Sequence, residues 1–244
     1  MKICNMGANF NRMKLKSVVN RYMQKVPEVR DYCDRCLKTR RWDSNVVLMI
    51  VDAAFTSIGL NYFQAVVPKV EEFRKLFVEK GIIKTLKDLA SADIEELRKV
   101  WRNKRSWEVA KSIASCLTQL KKGKKLTDRE VFIHWAKQSK LETWKEDPIG
   151  KIKGVGINTY QYLRMMAGID TVMPDKIVKR VIGKLLKEAT LKLPSSDIEF
   201  IKTVEKIAKA TGYKATELCW MTWLIQSEAG ISRIKKYARI LPKI

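Results

Sequence analysis

In KIKGVGINTYQYLRMMAGIDTVMPDKIVKRV (151–181), a glycine pair, an amide and a carboxylate are spaced in a way that could do chemistry. Gly154 and Gly156 bracket Val155 between two helical stretches. Glycine tolerates positive φ and, lacking Cβ, lets another backbone come close. A helix opening near Ile157 would aim the N–H groups of its first turn outward. With the positive end of the helix dipole, these make a seat for a phosphate. Val155 would turn inward as an apolar pin. Asp175 follows Pro174 and lies 19 residues beyond Gly156, at the head of another helical stretch. A carboxylate there is an ordinary cap. Helix-end N–H groups also keep it ionised, as a carboxylate facing a developing cation must be. On the residues alone Asp175 reads as cap or catalyst, and the glycine pair as phosphate seat or plain turn.

The segments that must position these residues are helical in pattern, and the fold expected is all-α with about a dozen helices. DIEELRKVW (93–101) and SWEVAKSIASCLTQL (106–120) place apolar residues at helical spacing. TDREVFIHWAKQ opens with a capping box, Thr127 to Glu130. DIEFIKTVEKIAKA (197–210) and ATELCWMTWLIQSEAG (215–230) continue the pattern, with Gly230 at a C-cap position. NVVLMIVDAAF (45–55) would suit a strand by residue preference. Its length and the caps Asp43 or Ser44 ahead of it favour a buried helix.

The chain of 244 residues, 46% of them hydrophobic, can bury a real core in one large or two modest domains. It carries 49 Lys+Arg against 26 Asp+Glu, a net charge of +23. Nucleic acid is the leading partner for such an excess, because each neutralised phosphate releases a condensed counterion. No apolar run is long enough to span a bilayer, and the N-terminus lacks the apolar core of a secretory signal, so an intracellular protein is expected (cytoplasm, nucleoid or nucleus). The cysteines (Cys4, Cys33, Cys36, Cys116 and Cys219) are odd in number and scattered, a poor disulfide framework. Cys33 and Cys36 form one C-x-x-C, but with His134 the only histidine no second ligand pair exists, and no metal site is expected. The basic stretches WRNKR (101–105) and KKGKK (121–125) are solvated helix ends or parts of a phosphate-contacting face.

Residues 152–181 resemble the helix-hairpin-helix DNA glycosylases, the endonuclease III-type superfamily. Ile152, Gly154, Val155, Gly156 and Thr159 match its hairpin L-P-G-V-G-x-K-T-A. Asp175, Val178, Arg180 and Val181 match V-D-x-H-V-x-R-V. A weaker likeness runs from residue 44 to about 190. The resemblance implies two helical subdomains with an active-site cleft between them. One is 44–167, ending in a helix-hairpin-helix at about 147–167; the other is 1–43 plus 168–244 and carries the aspartate. It implies flipping of a damaged or mismatched base out of double-stranded DNA and cleavage of its N-glycosidic bond. Asp175 would stabilise the oxocarbenium-like sugar and orient or deprotonate a water.

Where bifunctional members carry the lysine that attacks the sugar, this chain has Asn158, aimed at the same cleft. An amide forms no imine, so monofunctional hydrolysis is expected, alkylated purine being the first choice of substrate. Ile177 replaces the usual histidine and Lys153 the usual proline. One cysteine beyond residue 116 cannot hold an iron–sulfur cluster. No cofactor is expected beyond a monovalent cation shared with the phosphate at the hairpin. Gly154, Val155, Gly156, Lys153 and Thr159 would contact DNA, as would the loop Arg102, Asn103, Lys104 and Arg105. Arg102 or Asn103 would fill the space left by the flipped base, whereas Trp101, in phase with Leu97 and Ile94, belongs in the core. Trp42, Trp144, Trp220 and Trp223 are the aromatic candidates for stacking on that base. A monomer is expected. The alternatives are a non-catalytic helix-hairpin-helix DNA binder, a helix-turn-helix regulator, and a bifunctional lyase using another lysine such as Lys176.

Overall fold

The computed structural model describes residues 3–226 and 241–244, and every regular element among them is helical. Twelve α-helices succeed one another: α1 (Ile3–Met23), α2 (Val29–Leu37), α3 (Val46–Thr56), α4 (Val67–Phe73), α5 (Leu86–Ser91), α6 (Ile94–Arg98), α7 (Lys104–Lys121), α8 (Asp128–Gln138), α9 (Ile157–Met166), α10 (Lys176–Glu188), α11 (Asp197–Thr211) and α12 (Ala215–Gln226). The ambiguous run 45–55 is helix α3, buried from Val46 to Phe55. Its cap is neither Asp43 nor Ser44 but Asn45, whose side chain accepts from the Leu48 N–H at 3.0 Å. Asp43 and Ser44 are unavailable because the chain turns left-handedly there, with positive φ from Trp42 through Ser44. The capping box Thr127–Glu130 opens α8 as the residue pattern requires. Gly230 lies outside the described residues.

The contacts divide the chain into two compact units: the described residues of Met1–Asp34 with Asp170–Tyr237, and those of Arg35–Ile169 with Ala238–Ile244. In the first, α1 packs against α10, α11 and α12, and α12 against α10 and α11. In the second, α3 is the hub, touching α4, α5, α7, α8 and α9, while α7 also packs on α5, α6 and α8. Residues 35–43, 168–169 and 241–244, which the resemblance assigns to the subdomain built from the chain ends, lie in this second unit.

A buried polar cluster ties the strained segment before α3 into this second unit. Arg41 and Asp52 are both fully buried, and Arg41 Nη2 donates to Asp52 Oδ2 at 2.8 Å. The same oxygen accepts from Trp42 Nε1 at 2.7 Å, Tyr62 OH at 3.0 Å and Tyr162 OH at 3.3 Å. Burial works against the Arg41 charge, but Tyr162, Tyr62 and Asp52 outweigh it and hold the guanidinium protonated. Burial likewise pushes both tyrosines well above the ordinary phenol range. Removing either ionic partner would strand a charge in the core, a loss of about 3–5 kcal/mol. Because Tyr162 sits on α9, the cluster locks α9 against α3 and so sets where the start of α9 points.

Candidate functional site

The glycine pair forms a tight turn immediately ahead of α9. The chain reaches it not through a regular α-helix but through successive turns over 141–154. Asp147 organises them, accepting from Trp135 Nε1 at 3.0 Å and the Ile149 N–H at 2.8 Å. The Val155 N–H then bonds Ile152 O at 2.9 Å, and Val155 is buried, pinning the turn inward. Gly154 has φ +100°, and a Cβ there would meet Val109 Cγ2 of α7 at 2.7 Å and Arg105 Nε at 3.4 Å. Both conformation and clearance therefore demand glycine. The same contact brings the Arg105 guanidinium against the turn.

Gly156 is the N-cap of α9 and offers no side chain to the first turn. It is exposed, and a Cβ on it would meet nothing within 4 Å. The helix N-terminus therefore opens onto free space with donors lacking a side-chain cap, the arrangement that seats anions. Lys151, Lys153 and Arg105 are exposed around it. Thr159 is the exception among the hairpin residues: its side chain is buried, so it can present only its backbone N–H. Asn158 is half-buried, and its Oδ1 is shielded from solvent with no hydrogen-bond donor among the described residues.

The 101–105 loop splits by role. Trp101 is core, stacked on Phe55 with ring centroids 4.3 Å apart. Asn103 is spent as the N-cap of α7, accepting from the Ser106 N–H at 3.0 Å, and so is not free to enter a base stack. Arg102 and Lys104 are exposed, the latter 3.9 Å from Glu108. The helical pattern of the sequence gives no hint of a further feature, an apolar tip. The turn after α3 exposes Ile58 (40%) and Leu60 (48%) on either side of Gly59. Apolar residues flanking a glycine just past a buried helix are the one signal that could have found it.

Asp175 belongs to the other unit. It caps α10, Oδ1 accepting from the Val178 N–H at 2.7 Å. Pro174 precedes this cap instead of occupying the first turn. The second carboxylate oxygen is not left to solvent: Trp223 Nε1 of α12 donates to Oδ2 at 2.8 Å. Burial raises the Asp175 pKa, while the Val178 N–H, the Trp223 indole, the Ile177 N–H and Lys179 lower it; the net shift is upward. The helix-end donors do favour the charged form as the sequence suggests, but desolvation outweighs them. Trp223, a stacking candidate in the sequence, is thus a hydrogen-bond donor to the carboxylate. Trp42 and Trp220 are buried, and Trp144 is half-buried. Cys33, Cys36 and Cys219 are buried and form no disulfide among the described residues, and no group of three or more metal-ligating side chains occurs among them. No helix among them is long and apolar enough to cross a membrane.

No curated protein and no solved structure matches the chain. Residues 20–227 match the family described as "Domain of unknown function (DUF8548)", and since that span is most of the sequence the chain belongs to this family.

Proposed function

We propose that the protein is a monofunctional DNA glycosylase of helix-hairpin-helix type. It acts inside the cell as a monomer and hydrolyses the N-glycosidic bond of a damaged or mismatched base in duplex DNA, alkylated purine first. The observation that carries this reading is Asp175. A carboxylate that serves as a cap needs no more than the N–H groups of its own helix. This one is half-buried and held on both oxygens, by the Val178 N–H and by the Trp223 indole from another helix, and burial raises its pKa. Such a combination is frequent at functional sites. It would fix a negative charge where an oxocarbenium-like sugar develops positive charge.

The turn at 154–156 supplies the other half of the reading. Its uncapped helix start, with Arg105, Lys151 and Lys153 around it, suits one backbone phosphate. Extrusion of a base leaves a gap in the stack. With Asn103 committed to its helix, Arg102 or the apolar tip Ile58–Leu60 is the filler. Asn158 at the lyase position makes no imine, so the strand should stay intact after base loss. The second reading, a DNA binder without catalysis, draws on the fact that Asp175 does cap α10.

The test is a panel of duplexes, each with one lesion, incubated with the protein and then treated with alkali. Alkali-dependent cleavage on at least one lesion, with no borohydride-trapped protein–DNA adduct, is expected. Duplex binding without abasic sites on any lesion would leave the non-catalytic reading standing. Efficient trapping by the unaltered protein would overturn the monofunctional assignment and point to Lys176.

A further inference from the structure

At the end of α9 remote from the glycine turn lies a recess of about 410 Å³, built entirely within the second unit. Lys38, Arg40, Arg129 and Lys137 line it, and none of its lining residues is a carboxylate. We infer that this recess binds a phosphate group, separately from the seat at the turn and independently of any glycosylase activity.

The recess is held open by backbone. Arg129 is anchored on its rim, Nε donating to Thr39 O at 3.2 Å and Nη2 to Lys38 O at 2.7 Å. Those bonds leave its Nη1 uncommitted among the described residues. Thr39 sits at φ 50°, and Gly168 at φ 98°, where a Cβ would press to 3.0 Å from Leu37 O. Both are left-handed positions that close a helix, Gly168 after α9 and Thr39 after α2, and only at the β-branched Thr39 does that conformation carry strain.

Helix ends account for only part of the charge: Lys38 and Arg40 follow the C-terminus of α2, and Arg129 donates to carbonyls just beyond it. The last carbonyls of α9 are already satisfied by backbone, with Ala167 N on Leu163 O, Gly168 N on Met165 O and Ile169 N on Arg164 O, at 2.9, 3.0 and 3.0 Å. Lys137, in the last turn of α8, gains something from that helix's dipole, but Arg40 and Arg129 do not. Arg40, Arg129 and Lys137 form no ion pair among the described residues. Like charges gathered around one concavity repel unless an anion joins them, and a guanidinium fork with two mobile cations fits the oxygens of a phosphate. The phosphate could come from the backbone of a bound duplex or from a free phosphorylated compound.

The double variant Arg40→Ala/Lys137→Ala in the full chain distinguishes these sources, since both side chains are exposed and neither supports an interaction described above. Inorganic pyrophosphate should raise the melting temperature of the wild type beyond the effect of chloride at equal ionic strength, and the variant should lose most of that shift. On undamaged duplex, the slope of log K against log salt should become shallower by about 0.9 for each phosphate that the variant no longer neutralises. A lost pyrophosphate shift with an unchanged slope identifies a free phosphorylated ligand; a shallower slope identifies the duplex backbone. The control Lys122→Ala/Lys124→Ala removes equal charge from the exposed 121–125 turn. The inference fails if neither measurement changes, or if the control changes both as much. Neither measurement depends on base release, so this outcome is separate from that of the enzymatic reading.

Discussion

Asp175 meets two demands that pull in opposite directions, and its substitution should separate them. Its folded-state pKa is raised, so ionisation costs folding free energy once pH passes the ordinary aspartate value, and the cost is complete above the folded value. At pH 7 the wild type bears that cost. Asn caps a helix as well as Asp does. Its one carbonyl oxygen cannot also accept from the Trp223 indole, so the relieved ionisation cost is set against a lost hydrogen bond. Asp175→Asn should therefore still fold cooperatively at pH 7 with a modestly lowered melting temperature, yet release base at least about a hundredfold more slowly with duplex affinity kept. Near-normal excision by the folded variant would reduce Asp175 to a cap. The wild-type rate should rise with pH through an apparent pKa above the usual aspartate range. Trp223→Phe removes a donor to the charged form, so it should displace that profile to still higher pH. A profile unmoved by Trp223→Phe would detach the indole from the chemistry.

At the scale of elements, the turn before α9 makes contrasting claims for its two glycines. Gly154→Ala meets both a left-handed φ and Val109 Cγ2 at 2.7 Å, so it should destabilise the fold by about 1–3 kcal/mol in denaturant unfolding. Gly156 has φ −97° and ψ 174°, conformations any residue adopts, and open space beyond it. Gly156→Ala, a poorer N-cap, should cost no more than about 1 kcal/mol in unfolding while weakening duplex binding measured by anisotropy, because the methyl group intrudes where a phosphate would approach. Equal binding by Gly156→Ala would remove the phosphate from this helix start. The lever behind both variants is the Arg41–Asp52–Tyr62–Tyr162 cluster, which holds α9 on α3.

For the whole molecule the governing quantity is charge. A net +23 predicts steep loss of duplex affinity with salt, log K falling by about 0.9 per phosphate neutralised, with several phosphates involved. Undamaged sequences should bind alike, since exposed lysines and arginines around a helix N-terminus contact backbone and not base edges. A salt-insensitive complex with strong preference for one undamaged sequence would favour a major-groove regulator instead.

Helical class, most helix positions, the glycine turn and the Asp175 cap were legible in the sequence, because local rules act within a few residues. The 3.6-residue spacing of 106–120, the Thr127–Glu130 box and a carboxylate ahead of Lys176 carry their own geometry. Long-range pairing was not legible. The sequence offers Asn103 as a free loop amide, but folding turns it into a cap. It offers Thr159 as a polar contact, but the packing of α9 buries it. The indole that reaches Asp175 lies 48 residues away, and the carboxylate that neutralises Arg41 is fixed only once α3 packs against the segment before it. Composition set the sign and size of the charge, whereas tertiary structure alone decided which cations surround the turn and which line the recess at the far end of α9. Charge is additive along a chain; desolvation and partnership depend on what the fold brings within a few ångströms.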